Sequence, residues 1–98
     1  MARQGDVLFT AISRDELPPD LVERKSRVVV EGEVTGHAHR LVEGRVLVAT
    51  LGAMYLEVLH ATQVVHEEHN PITLSPGYYR ITQQREYVAP DIDRLVLD

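Results

Sequence analysis

The sequence predicts an all-β protein, a small antiparallel β-barrel or sandwich of about seven or eight short strands. Short runs rich in β-branched and aromatic residues recur along the chain, and glycine, proline or polar residues separate them. The one segment with helical capping chemistry is interrupted by Pro18-Pro19. The length of 98 residues indicates a single domain, expected to span residues 1–98.

Each predicted strand is bounded by residues that favour turns. The predicted runs, in chain order, are 7–11, 28–31, 37–42, 45–50, 54–59, 62–66, 72–74 and 78–87, and 94–97 is a candidate for one additional short edge strand. Glu43-Gly44 is a turn signal, so the third and fourth runs are expected to form a hairpin. Pro76-Gly77 predicts a type II turn before the longest strand, because glycine readily adopts the positive φ that this turn requires.

One short helix is expected in the polar segment between the first two strands. Ser13 and Glu16 have the spacing of a capping box, but Pro18-Pro19 breaks that register. The sequence therefore predicts at most one helical turn over 20–25, with Pro19 near its start.

Alternation along the strands assigns one face of each strand to a core. The predicted core residues are Val7, Phe9, Val28, Val30, Val46, Val48, Met54, Leu56, Val58, Val64, Ile72, Leu74, Tyr79 and Ile81. This core is thin, because a folded chain of this length buries only about 60–65% of the surface that its unfolded form exposes. A thin core with several exposed sheet edges predicts a homodimer.

The composition excludes several functional classes. Ten basic residues against fifteen acidic ones give a net charge of −5, which argues against binding duplex DNA through bulk positive charge. The absence of cysteine excludes thiolate metal ligands and cysteine nucleophiles. No apolar stretch has the length of a signal-peptide core or a membrane span, so a cytoplasmic location is expected.

A small basic cluster is interpreted as an exposed loop; it comprises Arg24, Lys25 and Arg27.

Histidine is the most informative residue type, because four of the five histidines form two tight pairs. His37 and His39 stand two residues apart, so both imidazoles point to the same face of a strand. His66 and His69 stand three residues apart, so they converge only if a bulge or turn interrupts the strand. His60 stands alone and is interpreted as a structural residue.

Pro71 makes such an interruption expected, because proline cannot donate to a ladder. We therefore expect His69 to lie within one side-chain reach of His37 or His39, with His66 joining them. If the strand instead stays regular, Glu67 and His69 share a face.

Together the two pairs predict a metal site. Three or four nitrogen and oxygen ligands suit Zn²⁺, Fe²⁺, Mn²⁺ or Ni²⁺ and leave a coordination position open. The expected ligands are His37, His39, His66 and His69. Glu67 is expected to be a fifth ligand or the base that takes a proton from metal-bound water. Arg40 or Arg85 would stabilise the negative charge that develops on an anionic substrate.

Two family resemblances follow from these motifs. GHAHR at 36–40, HEEHNPITLSPGYYRI at 66–81 and QREY at 84–87 resemble a small bacterial family, to which no activity is attached. The pattern His37-x-His39-x₃-Glu43 is similar to the first metal motif of the cupin superfamily, which implies a metal held by these three side chains inside a β-barrel. The second cupin motif has a histidine after a Pro-x-Gly turn, whereas here Pro76-Gly77 is contiguous and follows His69.

The leading functional prediction is a small enzyme with a histidine-centred, metal-dependent site. Its expected reaction is hydrolysis of an anionic substrate, with a phosphodiester, a nucleotide or a nucleic-acid fragment as the best candidate. A metal-free variant uses two histidines as general base and general acid, since their unperturbed pKa lies near neutrality. The competing class is a cupin-like module that binds a metal or ligand, or a partner subunit, without turnover.

Overall fold

The structure is a computed structural model that describes residues 1–31 and 36–84. This part of the chain is all-β apart from one 3₁₀ turn, Arg14–Glu16, which confirms the predicted class. The strands are β1 (Ala2–Gln4), β2 (Val7–Ile12), β3 (Val22–Arg24), β4 (Val28–Glu31), β5 (Ala38–Leu41), β6 (Arg45–Val48), β7 (Met54–Val58), β8 (Thr62–Val65), β9 (Ile72–Leu74) and β10 (Gly77–Gln83). The described residues include no helix of the length and apolarity that crossing a membrane requires.

The strands form two antiparallel sheets that do not close into a barrel. The first sheet has the order β1-β2-β10-β7-β6-β3 and the second has the order β4-β5-β8-β9. Both sheets contribute inward-facing residues to one apolar core, as in a sandwich. The buried core residues are Val7, Phe9, Val29, Leu41, Val46, Leu56, Val58, Val64, Leu74 and Tyr79.

The hairpin predicted around Glu43-Gly44 is wrong. β5 pairs with β4 and β8 in the second sheet, whereas β6 pairs with β3 and β7 in the first. The chain passes between the sheets at Gly44, where φ is 126° and an added Cβ would lie 2.9 Å from both the Glu57 carbonyl oxygen and Leu41 Cδ2. Glycine therefore makes a crossover between layers here, not a tight turn within one sheet.

The helical turn predicted over 20–25 is also absent from the structure. The capping-box residues instead close the 3₁₀ turn, where the Ser13 backbone N–H donates to Glu16 Oε1 at 2.8 Å. The following segment becomes β3, an edge strand that pairs Val22 with Val48. A single helical turn is unstable alone, so a strand ladder replaces it.

The predicted register of β4 is wrong by one residue. Val29 is 1% exposed and lies in the core, whereas Val28 and Val30 are only half-buried. The cause is a β-bulge, since Val28 pairs with Arg40 and Val30 pairs with the adjacent His39. Four other predicted core residues are half-buried; they are Val48, Met54, Ile72 and Ile81.

The type II turn predicted at Pro76-Gly77 does not form. Gly77 has a φ of 149° and is already the first residue of β10, paired with Val58. A type II turn would need a φ of about 80° at this glycine. The part of the last long strand beyond residue 84, the strand predicted over 94–97 and Arg85 lie outside the described residues.

Candidate functional site

Four imidazoles lie together where β5 begins and β8 ends; we call His37, His39, His66 and His69 the histidine cluster. The antiparallel register pairs Arg40 with Val65, which places His39 directly opposite His66 one residue beyond the ladder. Residues opposed in this way point to the same side of a sheet. The two ring centroids are accordingly 4.3 Å apart.

The second pair converges because β8 stops at Val65 and the chain bends over the next residues. The His69 ring centroid is 4.6 Å from that of His66 and 6.0 Å from that of His39. The His37 ring centroid is 5.7 Å from that of His66. The predicted proximity of His69 and His66 to the first pair is thus confirmed, while the role of these rings as ligands stays a prediction.

Gln4, at the end of β1, fixes the ring of His39. The Gln4 amide is 2% exposed, and its Nε2 donates to the carbonyl oxygens of Val64 and Asn70, both at 2.9 Å. Because both amide hydrogens are used in this way, Oε1 must face the ring, where it lies 2.7 Å from His39 Nδ1. This glutamine therefore links the first sheet to the second and to the histidine cluster.

The hydrogen bond to Gln4 determines the tautomer of neutral His39. Gln4 Oε1 is an acceptor, so His39 Nδ1 carries the proton and Nε2 has a free lone pair. Burial lowers the pKa of His39 below its usual value, and the neighbouring His66 and His69 lower it further, against an opposing effect of Asp6. The lowered pKa favours the neutral ring, which can act as a base or a ligand through Nε2.

His66 has the opposite tautomer. The backbone N–H of Glu68 donates to His66 Nδ1 at 3.0 Å, so the proton of the neutral ring sits on Nε2. The Glu68 carboxylate lies 3.6 Å from His37 Nδ1. Glu68 thus contacts one ring through its backbone and another through its side chain.

Gly5 allows the close approach of His69. This glycine has a φ of 60°, and a Cβ added to it would lie 2.7 Å from His69 Nε2. Any other residue would therefore displace the ring, in addition to the strain of a left-handed backbone.

Glu67 and Arg40 form a separate pair beside the histidine cluster. Glu67 Oε1 accepts a hydrogen bond from the Ala38 backbone N–H at 2.9 Å, and this bond is the main reason that the pKa of Glu67 lies below its usual value. Glu67 Oε2 lies 3.5 Å from Arg40 Nη1. Ala38 and Arg40 alternate with His39 along β5, so this pair lies on the opposite face of the strand from the His39 ring.

Other candidate residues lie elsewhere. Glu43 lies past the far end of β5 and lines a separate cavity of about 200 Å³ together with Arg45, Glu57 and His60. In residues 1–31 and 36–84, no three histidine or carboxylate side chains converge their donor atoms on one point suitable for a metal ion. A bound ion would thus require rings of the cluster to turn.

Sequence reasoning missed Gln4 and Gly5. No local pattern distinguishes Gln4 from an exposed glutamine, because its three hydrogen bonds go to residues 35, 60 and 66 positions away. Gly5-Asp6 is a recognisable turn signal in the sequence, so a glycine with positive φ could be expected there. The sequence does not indicate that the His69 ring packs against this glycine.

The fold and site define a small antiparallel β-sandwich with a cluster of imidazoles where its two sheets meet. The chain belongs to the family described as Domain of unknown function (DUF8820), whose model matches residues 3–84. Gln4, Gly5 and all four cluster histidines fall within this match, whereas Arg85 lies just beyond it. No curated protein and no solved structure matches the chain.

Proposed function

We propose that the histidine cluster binds a divalent transition metal and hydrolyses an anionic substrate, with a phosphodiester or nucleotide as the substrate class. The observation that carries this proposal is the convergence of four imidazoles from two separate segments, in which neighbouring ring centroids are 4.3–6.0 Å apart. Histidines that only solvate a surface have no reason to gather against one another, because their mutual approach disfavours protonation.

The ring spacing supports metal binding. Zinc bonds to imidazole nitrogen at 2.0–2.1 Å, so two rings on one tetrahedral ion have centroids about 5 Å apart. The observed centroid distances lie on both sides of this value. The proposed site requires the His37, His66 and His69 rings to rotate about their side-chain bonds, and His66 to give up the hydrogen bond from the Glu68 N–H. Zn²⁺, Fe²⁺, Mn²⁺ or Ni²⁺ would be suitable ions.

His39 supplies the fixed ligand of the proposed site. Gln4 holds its proton on Nδ1, which leaves Nε2 free to coordinate, as outer hydrogen-bond partners do for metal-ligating histidines. A bound ion would supply an activated water, because such an ion can lower the pKa of its water to about 7. Glu67 would orient Arg40, which lies on the opposite face of β5 from the His39 ring and would bind a neighbouring phosphate of the substrate, not the reacting one.

A metal-free reaction is the second candidate, and the opposite tautomers of His39 and His66 favour it. His39 presents a lone pair at Nε2, whereas His66 presents an N–H there, and the ring centroids are 4.3 Å apart. One ring can take the proton of the nucleophile while the other donates a proton to the leaving group.

Chelation and metal titration of the purified protein separate these candidates. We expect one Zn²⁺ or Ni²⁺ ion to bind per chain by calorimetry, and His39→Gln to lose it. The matched control His60→Gln should keep it, because His60 lies outside the cluster. Hydrolysis of a dinucleotide should stop on chelation and return with added ion.

Three outcomes would change the conclusion. Hydrolysis that survives exhaustive chelation eliminates the metal and supports the acid–base reaction. Metal binding without hydrolysis of any phosphate ester supports a binding module. If His39→Gln keeps both metal binding and hydrolysis, the assignment of the site is overturned.

A further inference from the structure

Basic side chains line a groove beside β5, and two of them belong to the segment that the sequence predicts to be an exposed loop. The β3–β4 loop and β5 line an open cavity of about 510 Å³, and its charged lining residues are Lys25, Arg27 and Arg40. These are three of only ten basic residues in a chain with a net charge of −5. Such a local concentration of positive charge in an acidic protein creates a field that attracts anions.

Hydrogen bonds order the loop that carries these cations. The backbone N–H of Leu41 donates to the Arg27 carbonyl oxygen at 2.9 Å, which ties the loop to β5. Ser26 Oγ accepts a bond from the Val28 N–H at 3.1 Å, and Arg24 Nη1 donates to the Val28 carbonyl oxygen at 3.0 Å. The side chains of the groove therefore project from a fixed backbone.

The positive charge of the groove is only partly neutralised. In the described part of the chain, Arg40 pairs with Glu67 at 3.5 Å, and no carboxylate forms an ion pair with Lys25 or Arg27. Both members of the Arg40 pair are substantially exposed, so an incoming phosphate can replace the carboxylate. Arginine matches the geometry of phosphate through two parallel hydrogen bonds.

The groove leads to the histidine cluster. A second cavity of about 200 Å³ is lined by Arg40, Val65 and His66, among others, and the first two of these also line the groove. Arg40 and the His39 ring lie on opposite faces of β5, so a chain of phosphates that runs from Lys25 past Arg40 would reach the cluster by passing over the end of β8 at His66. One inorganic phosphate would leave most of the groove unfilled.

We infer that this groove binds the phosphodiester backbone of the substrate, beside the phosphodiester bond that the histidine cluster would hydrolyse. The inference rests on the proposed function and specifies its substrate as a ligand with several successive phosphates. The groove lining includes no aromatic residue among those described, so recognition is through charge and does not depend on base stacking.

Fluorescence anisotropy with a labelled single-stranded oligonucleotide tests the inference. The variant Lys25→Gln/Arg27→Gln removes two cations from the groove, and the control Arg14→Gln/Arg80→Gln removes two exposed cations that do not line it. Loss of two phosphate contacts should weaken binding about 25-fold at about 0.1 M salt and reduce the salt slope by about 1.4, since each contact on a single strand contributes about 0.7. The control variant should change both quantities little.

Competition identifies the source of the phosphate. Displacement of the probe by an unlabelled oligonucleotide but not by a dinucleotide or inorganic phosphate supports a strand, whereas displacement by the dinucleotide supports a small nucleotide ligand. Displacement by inorganic phosphate at equal phosphate concentration overturns the requirement for successive phosphates. Absence of binding by the wild-type chain, or an equal loss in both double variants, overturns the groove.

The same variants separate failure of the groove from failure of the proposed function. His39→Gln should abolish hydrolysis and retain oligonucleotide binding, because His39 does not line the groove. Binding that depends on Lys25 and Arg27 without any hydrolysis would refute the proposed function alone. Hydrolysis that is unchanged in the groove variant would refute the groove alone. Thermal unfolding of each variant confirms that it is folded.

Discussion

Replacing Gln4 by methionine tests whether this buried amide holds the histidine cluster together. Methionine has a similar length but can neither donate to the Val64 and Asn70 carbonyl oxygens nor accept from His39. The substitution therefore removes three hydrogen bonds without leaving a large cavity.

The expected cost follows from the groups left without partners. Asn70 is exposed, so water can replace its lost donor at little cost. The Val64 carbonyl oxygen and the His39 ring are buried, and each unsatisfied group costs about 1–3 kcal/mol. The free energy of unfolding should thus fall by about 2–6 kcal/mol, which lowers the Tm of a domain of this size by about 10–30 °C.

Urea unfolding and NMR measure the two consequences separately. Gln63→Met is the matched control, because Gln63 is exposed on β8 and the same substitution there should change stability by less than about 0.5 kcal/mol. Long-range proton–nitrogen correlation spectra report which ring nitrogen of His39 is protonated. We expect Nδ1 in the wild type and a shift toward Nε2 in Gln4→Met.

Metal affinity gives a third readout. Loss of an outer hydrogen-bond partner lowers the affinity of a histidine site for its metal by about 10–100-fold. The reasoning is refuted if Gln4→Met is as stable as the wild type, or if wild-type His39 carries its proton on Nε2.

Three further predictions follow from the same geometry and charges. Gly5→Ala should displace the His69 ring and weaken metal binding, whereas Gly52→Ala, also at a positive φ but with open space around it, should leave binding intact; equal affinities in the two variants would contradict the packing of His69. Because folding lowers the pKa of His39, this imidazole is protonated in the unfolded chain at a higher pH than in the folded one. The free energy of unfolding should therefore fall as the pH drops below about 6.5. Urea midpoints at about pH 7.5 and about pH 5.5 should differ less for His39→Gln than for the wild type and His60→Gln, and equal differences would contradict this origin. The chain should sediment as a homodimer, because edge strands offer unpaired backbone groups, and a monomer at micromolar concentration would contradict it.

The sequence by itself determined the fold class, most strand positions and the members of the histidine cluster. β-branched runs and the turn residues between them are local signals, so they placed β2 and β4 to within a residue or two. The spacing of His37 and His39 and the break before Pro71 are local as well. They were sufficient to predict that the two histidine pairs meet.

Only the tertiary structure decided which strands pair and what surrounds the cluster. Whether Gly44 makes a hairpin or a crossover depends on which sheet receives β6, and that choice is made by the pairing of β6 with β7 and with the remote β3. The bulge that buries Val29 depends on the register with β5 in the same way. Gln4 acquires its function only when β1 meets the second sheet, because its three partners are all remote in sequence. The alternation of apolar and polar residues along a strand predicts which side chains share a face. Which strands pair depends on contacts between segments that are remote in sequence, and no local pattern encodes those contacts.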